Sequence, residues 1–193
     1  LMFEKLGIDT MKVLDAAKKK YNFQIHYPGA GVGGPCLPIN SYQLLNTARR
    51  AGVKLNIIES SRQINERMPE HVIELTLDAF KECNKTIQNN DILILGISYK
   101  PDVKDIQLTP AKHIIEKLQK LGANVHIYDP YFSSGQVFDI NVEENLDDII
   151  SKVDASIIVT GHKEFKKIEP SFFNQMKGSI LIDTRGIIDP EDA

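Results

Sequence analysis

A chain of 193 residues is long enough to bury a sizeable apolar core in one or two domains. Its 42% apolar residues, 25% charged residues and formal net charge of −3 are typical of globular proteins, and they argue against a disordered chain or one that coats nucleic acid. No apolar stretch approaches the roughly 20 residues that span a bilayer, and no secretion signal is recognisable. We therefore predict a cytoplasmic protein with neither a nucleic-acid nor a membrane partner.

The chain is predicted to open with short helices and a loop. Residues 1–6 have the period of a helix end, and Asp9–Thr10 is predicted to cap a helix that runs to Lys20. Residues 27–38 then hold four glycines and three prolines, which predicts a tight loop that is neither helix nor strand. A helix is predicted to follow over residues 39–51.

A long helical segment comes next. Apolar positions at helical spacing predict helix over residues 53–87, and Pro69 is expected to kink or restart it near Met68. One small core cannot cover a helix of this length. We therefore expect it to bridge two domains or to pack against a second copy of the chain.

From residue 89 onward, predicted strands alternate with predicted helices. Short strands separated by helices form right-handed crossovers, which predicts an α/β fold with a Rossmann-like, doubly wound parallel sheet. We predict a helical domain over residues 1–88 and the sheet domain over residues 89–193. The predicted strands are 92–97, 124–128, 155–160 and 179–183, and the predicted helices are 110–121, 146–152 and 170–177.

Four polar segments follow the predicted strands and should share one rim, because ligands of such sheets bind beyond the carboxyl ends of the strands. They are Ser98–Lys100, Asp129–Pro130, Gly161–His162 and Thr184–Arg185. Lys100 is expected to meet a phosphate or a sugar hydroxyl, with a solvated lysine as the alternative. Arg185 is either a ligand contact or a surface charge.

The glycine-rich loop has the spacing of a dinucleotide-binding fingerprint, with Gly29, Gly31 and Gly34 in the glycine positions. That fingerprint works only between a strand and a helix. Here a predicted helix precedes the loop and prolines flank it, so we reject the fingerprint. The remaining interpretation is a loop whose bare backbone approaches a ligand closely, with a simple connector as the alternative.

Cys36 lies where this loop enters a helix. Unsatisfied amide groups at a helix N-terminus favour thiolate, the nucleophilic form of cysteine, so Cys36 is a candidate nucleophile. Buried filler is the alternative, and it is our interpretation of Cys83. Two cysteines form no disulfide framework, which favours a reducing compartment. The five histidines lack ligand spacing, so no metal site is predicted.

Two motifs together resemble the UDP-glucose/GDP-mannose dehydrogenase family. Residues 28–38 resemble its active-site loop, and residues 96–110 resemble its C-terminal signature. The likeness is greatest to nucleotide-sugar dehydrogenases of the UDP-N-acetylmannosamine type. Shorter matches follow in the family's order, so that the resemblance covers nearly the whole chain: residues 62–65, 68–69, 128–130, 161–165 and 183–185.

The resemblance implies an NAD-dependent dehydrogenase of polysaccharide biosynthesis, acting as a homodimer that pairs through the long helix. Such enzymes oxidise the C6 alcohol of a UDP-sugar twice, and Cys36 is implied as the thiol that attacks the intermediate aldehyde. Cys36, Leu37 and Gln107 are implied to face the cofactor. The implied substrate contacts are Tyr27, Gly29, Gly31, Gly33, Gly34, Tyr99, Lys100 and Arg185.

Two residues depart from the family pattern. Asn40 stands where the family usually has Asp and is implied as catalytic, but an amide can only hydrogen-bond and cannot act as a base. Gln107 stands where an Arg commonly reaches the cofactor, which weakens any phosphate contact there.

The NAD-binding domain of the family is absent from the sequence, and we expect it to precede Leu1 in a longer enzyme. The chain alone is therefore expected to be inactive. One alternative is a non-catalytic module for nucleotide-sugar binding and dimerisation. Another alternative, a thiol hydrolase, lacks a histidine close to Cys36 in the sequence.

Overall fold

The computed structural model describes residues 1–189 and begins with two short helices. Helix α1 spans Met2–Lys5, and α2 spans Thr10–Ala17. The predicted cap of α2 is confirmed, because Asp9 Oδ1 accepts hydrogen bonds from the backbone N–H groups of Met11 (2.7 Å) and Lys12 (3.2 Å). The helix ends at Ala17, three residues before the predicted end.

Helix α3 spans Cys36–Arg50 and starts three residues earlier than predicted. The prediction excluded Pro38 from the helix, whereas the structure places this residue in the first turn. A proline is tolerated there because the N–H that it lacks would have no partner within the helix. The earlier start makes Cys36 the first helical residue.

Helix α4 is one continuous helix over Asn56–Glu82. Of the two effects predicted for Pro69, a kink or a restart, the restart does not occur. A proline inside a helix costs roughly 3 kcal/mol. Tertiary packing outweighs that cost here, because Pro69 is itself buried and the following turns place Val72, Ile73 and Phe80 in the core of the sheet domain.

The sheet is formed by the parallel strands β1 (Asp91–Leu95), β2 (Asn124–Tyr128), β5 (Ala155–Ile158) and β6 (Ile180–Asp183). Their order in the sheet is β2-β1-β5-β6, which confirms the predicted fold class. Chain order reverses direction between β1 and β5, so the switch point of the sheet lies between these strands. The helices of this half are α5 (Pro110–Lys120) and α6 (Leu146–Ile150).

The two faces of the sheet carry separate apolar clusters, as the alternation of side chains along a strand requires. Ile92 and Ile94 of β1 pack with α4 and α5, whereas Leu93 and Leu95 pack on the other face with α6 and Phe165. The domain therefore has three layers. Ala30 of the glycine-rich loop belongs to the first cluster, and α4 contacts both this cluster and α3.

Short elements escaped prediction. Strands β3 (Gln136–Val137) and β4 (Ile140–Asn141) form a hairpin whose turn residues Phe138 and Asp139 both have positive φ, without the Asn-Gly signal of such turns. Residues 165–167 and 170–175 are 3₁₀ helices, the second of which was predicted as α-helix. Among the described helices, none combines the length and the apolar character needed to cross a bilayer.

Candidate functional site

The loops after β1 and β5 touch at the switch point of the sheet. Gly96 has a φ of +82°, and a Cβ added to it would lie 2.7 Å from both the Cβ and the carbonyl oxygen of Thr160. Thr160 Oγ1 also donates a 2.6 Å hydrogen bond to the Ser98 carbonyl. Only glycine permits this approach, which closes the end of the sheet beneath the predicted rim.

Asp129, after β2, ties these loops together. Its Oδ2 accepts hydrogen bonds from the backbone N–H groups of Ile97 (2.8 Å) and Ser98 (3.2 Å) and from His162 Nε2 (3.1 Å). The other ring nitrogen, Nδ1, accepts the backbone N–H of Asp102 at 2.9 Å. This arrangement fixes the tautomer of His162, which carries its proton on Nε2. His162 is fully buried, so it supports the rim and does not face a ligand.

The carboxylate of Asp129 is held ionised by these donors. Burial raises its pKa, but the hydrogen bonds from His162 and from the Ile97 and Tyr131 amides outweigh burial, and the pKa lies below its ordinary value.

Three potential metal-ligand atoms, one each from Asp102, His162 and Glu164, lie within 4.8 Å of one another. Both nitrogens of His162 are already engaged within the protein, however, so the ring has no free lone pair for a metal.

Arg185 is presented by a turn that the carboxylate of Asp183 organises. The two oxygens of Asp183 accept four backbone N–H groups, those of residues 185–188, at 2.6–3.0 Å. Burial lowers the pKa of the Arg185 guanidinium, and the charge of Asp183 opposes that shift. Among the described residues, no side chain or carbonyl accepts a hydrogen bond from this guanidinium. A half-buried cation without such a partner is suited to an anionic ligand.

A cavity of about 310 Å³ opens beside Arg185. Lys166 supplies a second cation, Tyr27 of the glycine-rich loop supplies an aromatic side chain, and Gly161 brings the loop after β5 to the same wall. Gly29 lies so close to Arg185 that an added Cβ would overlap the guanidinium. The remaining lining residues are Met11, Pro101, Gly186 and Ile187.

The glycine-rich loop packs directly on the loop after β1. Gly34 N–H donates a 2.9 Å hydrogen bond to the carbonyl of Gln107, and its Cα faces the ring of Tyr99. Gly33 presses on the carbonyl of Leu108, where an added Cβ would lie 2.2 Å from the oxygen. Lys100 extends from the same loop, with its Nζ 5.4 Å from the centroid of the Tyr99 ring. The two motifs behind the resemblance are therefore in contact.

Cys36 is the first residue of α3 and is exposed. Leu37 and Asn40 are exposed beside it, and Asn40 shares its helix face because the two residues are four positions apart. Gln107 is also exposed. Cys83, which we interpreted as filler, is exposed at the C-cap of α4, so that interpretation is wrong.

Two regions of the chain match one protein family. Residues 1–67 match the central domain of the UDP-glucose/GDP-mannose dehydrogenase family, and residues 93–190 match its UDP binding domain. The chain belongs to this family. The first match contains the glycine-rich loop and the second contains the rim, so the resemblance seen in the sequence is confirmed.

Named relatives in this family share both sequence and fold with the chain. It is 32% identical over 189 residues to UDP-N-acetyl-D-mannosamine dehydrogenase of Pyrococcus horikoshii, a match that covers 97% of this chain and 43% of that protein. The solved UDP-D-ManNAc dehydrogenase of the same organism superimposes with a TM-score of 0.86 at 31% identity, over 98% of this chain and 43% of that one.

The Staphylococcus aureus UDP-N-acetyl-mannosamine dehydrogenase Cap5O, in its native structure, gives a TM-score of 0.76 at 30% identity, over 97% of this chain and 41% of that one. The chain therefore spans less than half the length of these relatives.

Seven of the predicted site residues fall into two neighbouring groups. Tyr27, Gly29 and Arg185 meet at the 310 Å³ cavity, whereas Gly33, Gly34, Tyr99 and Gln107 form the contact between the two loops. Cys36, Leu37 and Asn40 do not line that cavity.

Sequence reasoning missed two residues of the site. Lys166 carried no signal, since it follows a strand by eight residues on an unpredicted 3₁₀ helix. Asn65 belonged to a short motif of the resemblance, but its contact with the loop at Val32, described below, depends on the tertiary fold.

Proposed function

We propose that the chain supplies the central and UDP-sugar-binding parts of a longer, NAD-dependent UDP-sugar 6-dehydrogenase, with Cys36 as its nucleophile. The observation that carries this proposal is the exposed Cys36 thiol at the first residue of α3. This residue directly follows the glycine-rich loop, which packs against the carboxyl rim of a UDP binding domain. A buried thiol would have argued against it. A cytoplasmic location, expected from the sequence, stays a prediction.

The substrate we propose is a UDP-linked sugar, with UDP-N-acetylmannosamine as the first to test and UDP-glucose as the second. Arg185 and Lys166 offer two cations to a diphosphate, and Tyr27 offers an aromatic surface to a ring. The sugar then extends from this cavity along the glycine-rich loop past Gly31, which is partly exposed. Gly33 and Gly34 are buried against the loop after β1, so they shape this part of the loop from behind. Lys100, with its Nζ over the ring of Tyr99, is proposed to meet a sugar hydroxyl.

The chemistry assigned to the chain begins with the aldehyde that the first oxidation of the C6 alcohol produces. The Cys36 thiolate adds to this aldehyde to give a thiohemiacetal. Loss of hydride from that carbon gives a thioester, and water then cleaves the C–S bond, which returns the thiol and releases the uronate. Each molecule of alcohol therefore consumes one water and delivers two hydrides. Asn40, on the same helix face as Cys36, is placed to hold the water by a hydrogen bond.

NAD supplies the hydride acceptor for both oxidations when it is bound. The exposed side chain of Leu37 beside Cys36 fits an apolar contact with the edge of a nicotinamide ring, and the exposed Gln107 fits a neutral hydrogen bond. Neither group provides a pyrophosphate site. The glycine-rich loop precedes α3 without a preceding strand, so it is no substitute for a dinucleotide fingerprint. The main NAD site is therefore assigned to a domain outside this chain.

The nucleophile is tested by Cys36→Ala in the complete enzyme, with Cys83→Ala as the matched control. With UDP-N-acetylmannosamine and NAD, Cys36→Ala should abolish uronate formation, and Cys83→Ala should leave it unchanged. Unaltered uronate formation by Cys36→Ala would exclude the thiol mechanism. The chain alone should produce no steady NADH signal with the same substrates, and a sustained signal would contradict the assignment of NAD to another domain.

A non-catalytic module for nucleotide-sugar binding and dimerisation is the second candidate, favoured by exposed apolar side chains on α4. Ile57 is 84% exposed and Ile64, two turns later on the same face, is 56% exposed. A module needs no activated thiol. Iodoacetamide should therefore label Cys36 no faster than a cysteine in an unstructured peptide if this candidate is right, and faster if Cys36 is the nucleophile.

We further propose that this face of α4 pairs two copies of the chain, whichever candidate holds. Sedimentation of the wild type should show a dimer, and Ile57→Glu with Ile64→Glu should shift it to monomer. Glu substitutions at the exposed Lys81 and Lys152, outside the face, serve as the control. A wild-type monomer at micromolar concentration would refute the pairing.

A further inference from the structure

Asn65 makes two hydrogen bonds to the backbone of the glycine-rich loop. Val32 N–H donates to Asn65 Oδ1 at 2.7 Å, and Asn65 Nδ2 donates to the Val32 carbonyl at 3.1 Å. The side-chain amide thus pairs with both polar groups of one residue, as a neighbouring strand would. The two residues are 33 positions apart, so the contact fixes the loop against α4.

The loop makes few other hydrogen bonds. Among the described residues, positions 28–35 make only one further hydrogen bond, from Gly34 N–H to the carbonyl of Gln107. Val32 itself is 52% exposed, so packing does not hold its side chain. Asn65 therefore supplies two of the three hydrogen bonds that hold this segment. The backbone of Gly31 lies against the same residue, since an added Cβ would be 3.3 Å from the Asn65 carbonyl oxygen.

We infer that Asn65 is a positioning residue for Cys36, an inference that rests on the proposed function. Only Gly33, Gly34 and Pro35 separate Val32 from the thiol. One end of this short segment is held to α4 by Asn65, and its middle is held to the loop after β1 through Gly34. Together, the hydrogen bonds of Asn65 and of Gly34 fix the position of the first turn of α3 relative to the rim. Without Asn65, the segment keeps the packing of the buried Ala30 and Gly33 but only one hydrogen bond, that of Gly34.

Asn65→Ala tests this inference, with Asn46→Ala as the matched control, because Asn46 is exposed on α3 and makes no hydrogen bond among the described residues. Amide hydrogen exchange of the 193-residue chain needs no catalytic activity. We expect Asn65→Ala to accelerate exchange at Val32 about tenfold or more, since two hydrogen bonds of ordinary strength are lost. Gly34 should accelerate with it, whereas amides of β1 should not change, which shows that the fold is intact.

The complete enzyme provides the second readout. Asn65→Ala should lower kcat about 10- to 100-fold, the cost typical of a misplaced reacting group, with KM for NAD changed less than about threefold. Asn65→Asp should fall between wild type and Asn65→Ala, because it accepts from Val32 N–H but cannot donate to the carbonyl.

Exchange at Val32 or Gly34 within twofold of wild type would overturn the inference, and so would a kcat equal to that of Asn46→Ala. Failure of the proposed function is distinguishable, because it appears as turnover that survives Cys36→Ala, whatever the exchange result.

Discussion

Gly33→Ala should displace the glycine-rich loop from the rim, because the added methyl group would overlap backbone atoms of the rim. A Cβ at this position would lie 2.2 Å from the carbonyl oxygen of Leu108 and 2.9 Å from its carbonyl carbon. Both atoms belong to backbone, which cannot rotate away as a side chain does. The loop must therefore move by about 1 Å to reach an ordinary contact distance. The neighbouring 2.9 Å hydrogen bond from Gly34 to Gln107 cannot survive that movement unchanged.

Two consequences follow for Gly33→Ala. Overpacking of this kind costs about 1–3 kcal/mol of the free energy of unfolding. A displacement of about 1 Å at the loop that carries Cys36 should also lower kcat about 100-fold. The first effect is measured by urea unfolding of the chain, and the second is measured as uronate formation by the complete enzyme.

Gly52→Ala is the matched control for Gly33→Ala. Gly52 has a φ of +75° and nothing within 4 Å of an added Cβ, so alanine there is strained but meets no neighbour. It should cost about 1–2 kcal/mol of stability through backbone strain and leave kcat unchanged. If Gly33→Ala lowers kcat no more than Gly52→Ala does, the loss reflects stability alone and the argument from the loop contact is refuted.

Three further substitutions test the rim. Asp129→Asn should cost about 2–3 kcal/mol of unfolding free energy at pH 7, since it puts an amide group among buried donors. Because the pKa of Asp129 is lowered in the folded state, the stability difference between wild type and variant should shrink as the pH falls below about 4; a difference that stays constant down to pH 2 would contradict this. Arg185→Gln should weaken UDP binding, measured by calorimetry, about tenfold or more without lowering the melting temperature, because it removes a half-buried cation that has no hydrogen-bond acceptor within residues 1–189. A lower melting temperature with unchanged affinity would reverse that assignment. Asp183→Ala should weaken UDP binding and also destabilise the chain, since four backbone N–H groups lose their acceptor; affinity equal to wild type would show that the turn holds without it.

The fold class and the rim were predictable because their signals are local. Strands β1, β2, β5 and β6 each carry a short apolar run that ends near a polar residue or glycine, and parallel strands bring such ends to one edge. Helix boundaries were less predictable where proline was concerned. Pro38 and Pro69 lie inside helices, the first because a first turn tolerates proline and the second because core packing outweighs its cost.

The glycines of the loop predicted that its backbone makes close contacts, but they did not identify the residues contacted. Gly29 approaches a side chain, Gly33 a carbonyl and Gly34 an aromatic ring, and these neighbours lie from about 65 to more than 150 residues further along the chain. Local periodicity contains no information about such pairs. The same limit hid Asn65, whose two hydrogen bonds have no counterpart in helical propensity. A loop that needs several glycines is one whose position is set by distant residues, so the thiol it carries depends on parts of the chain that no nearby motif identifies.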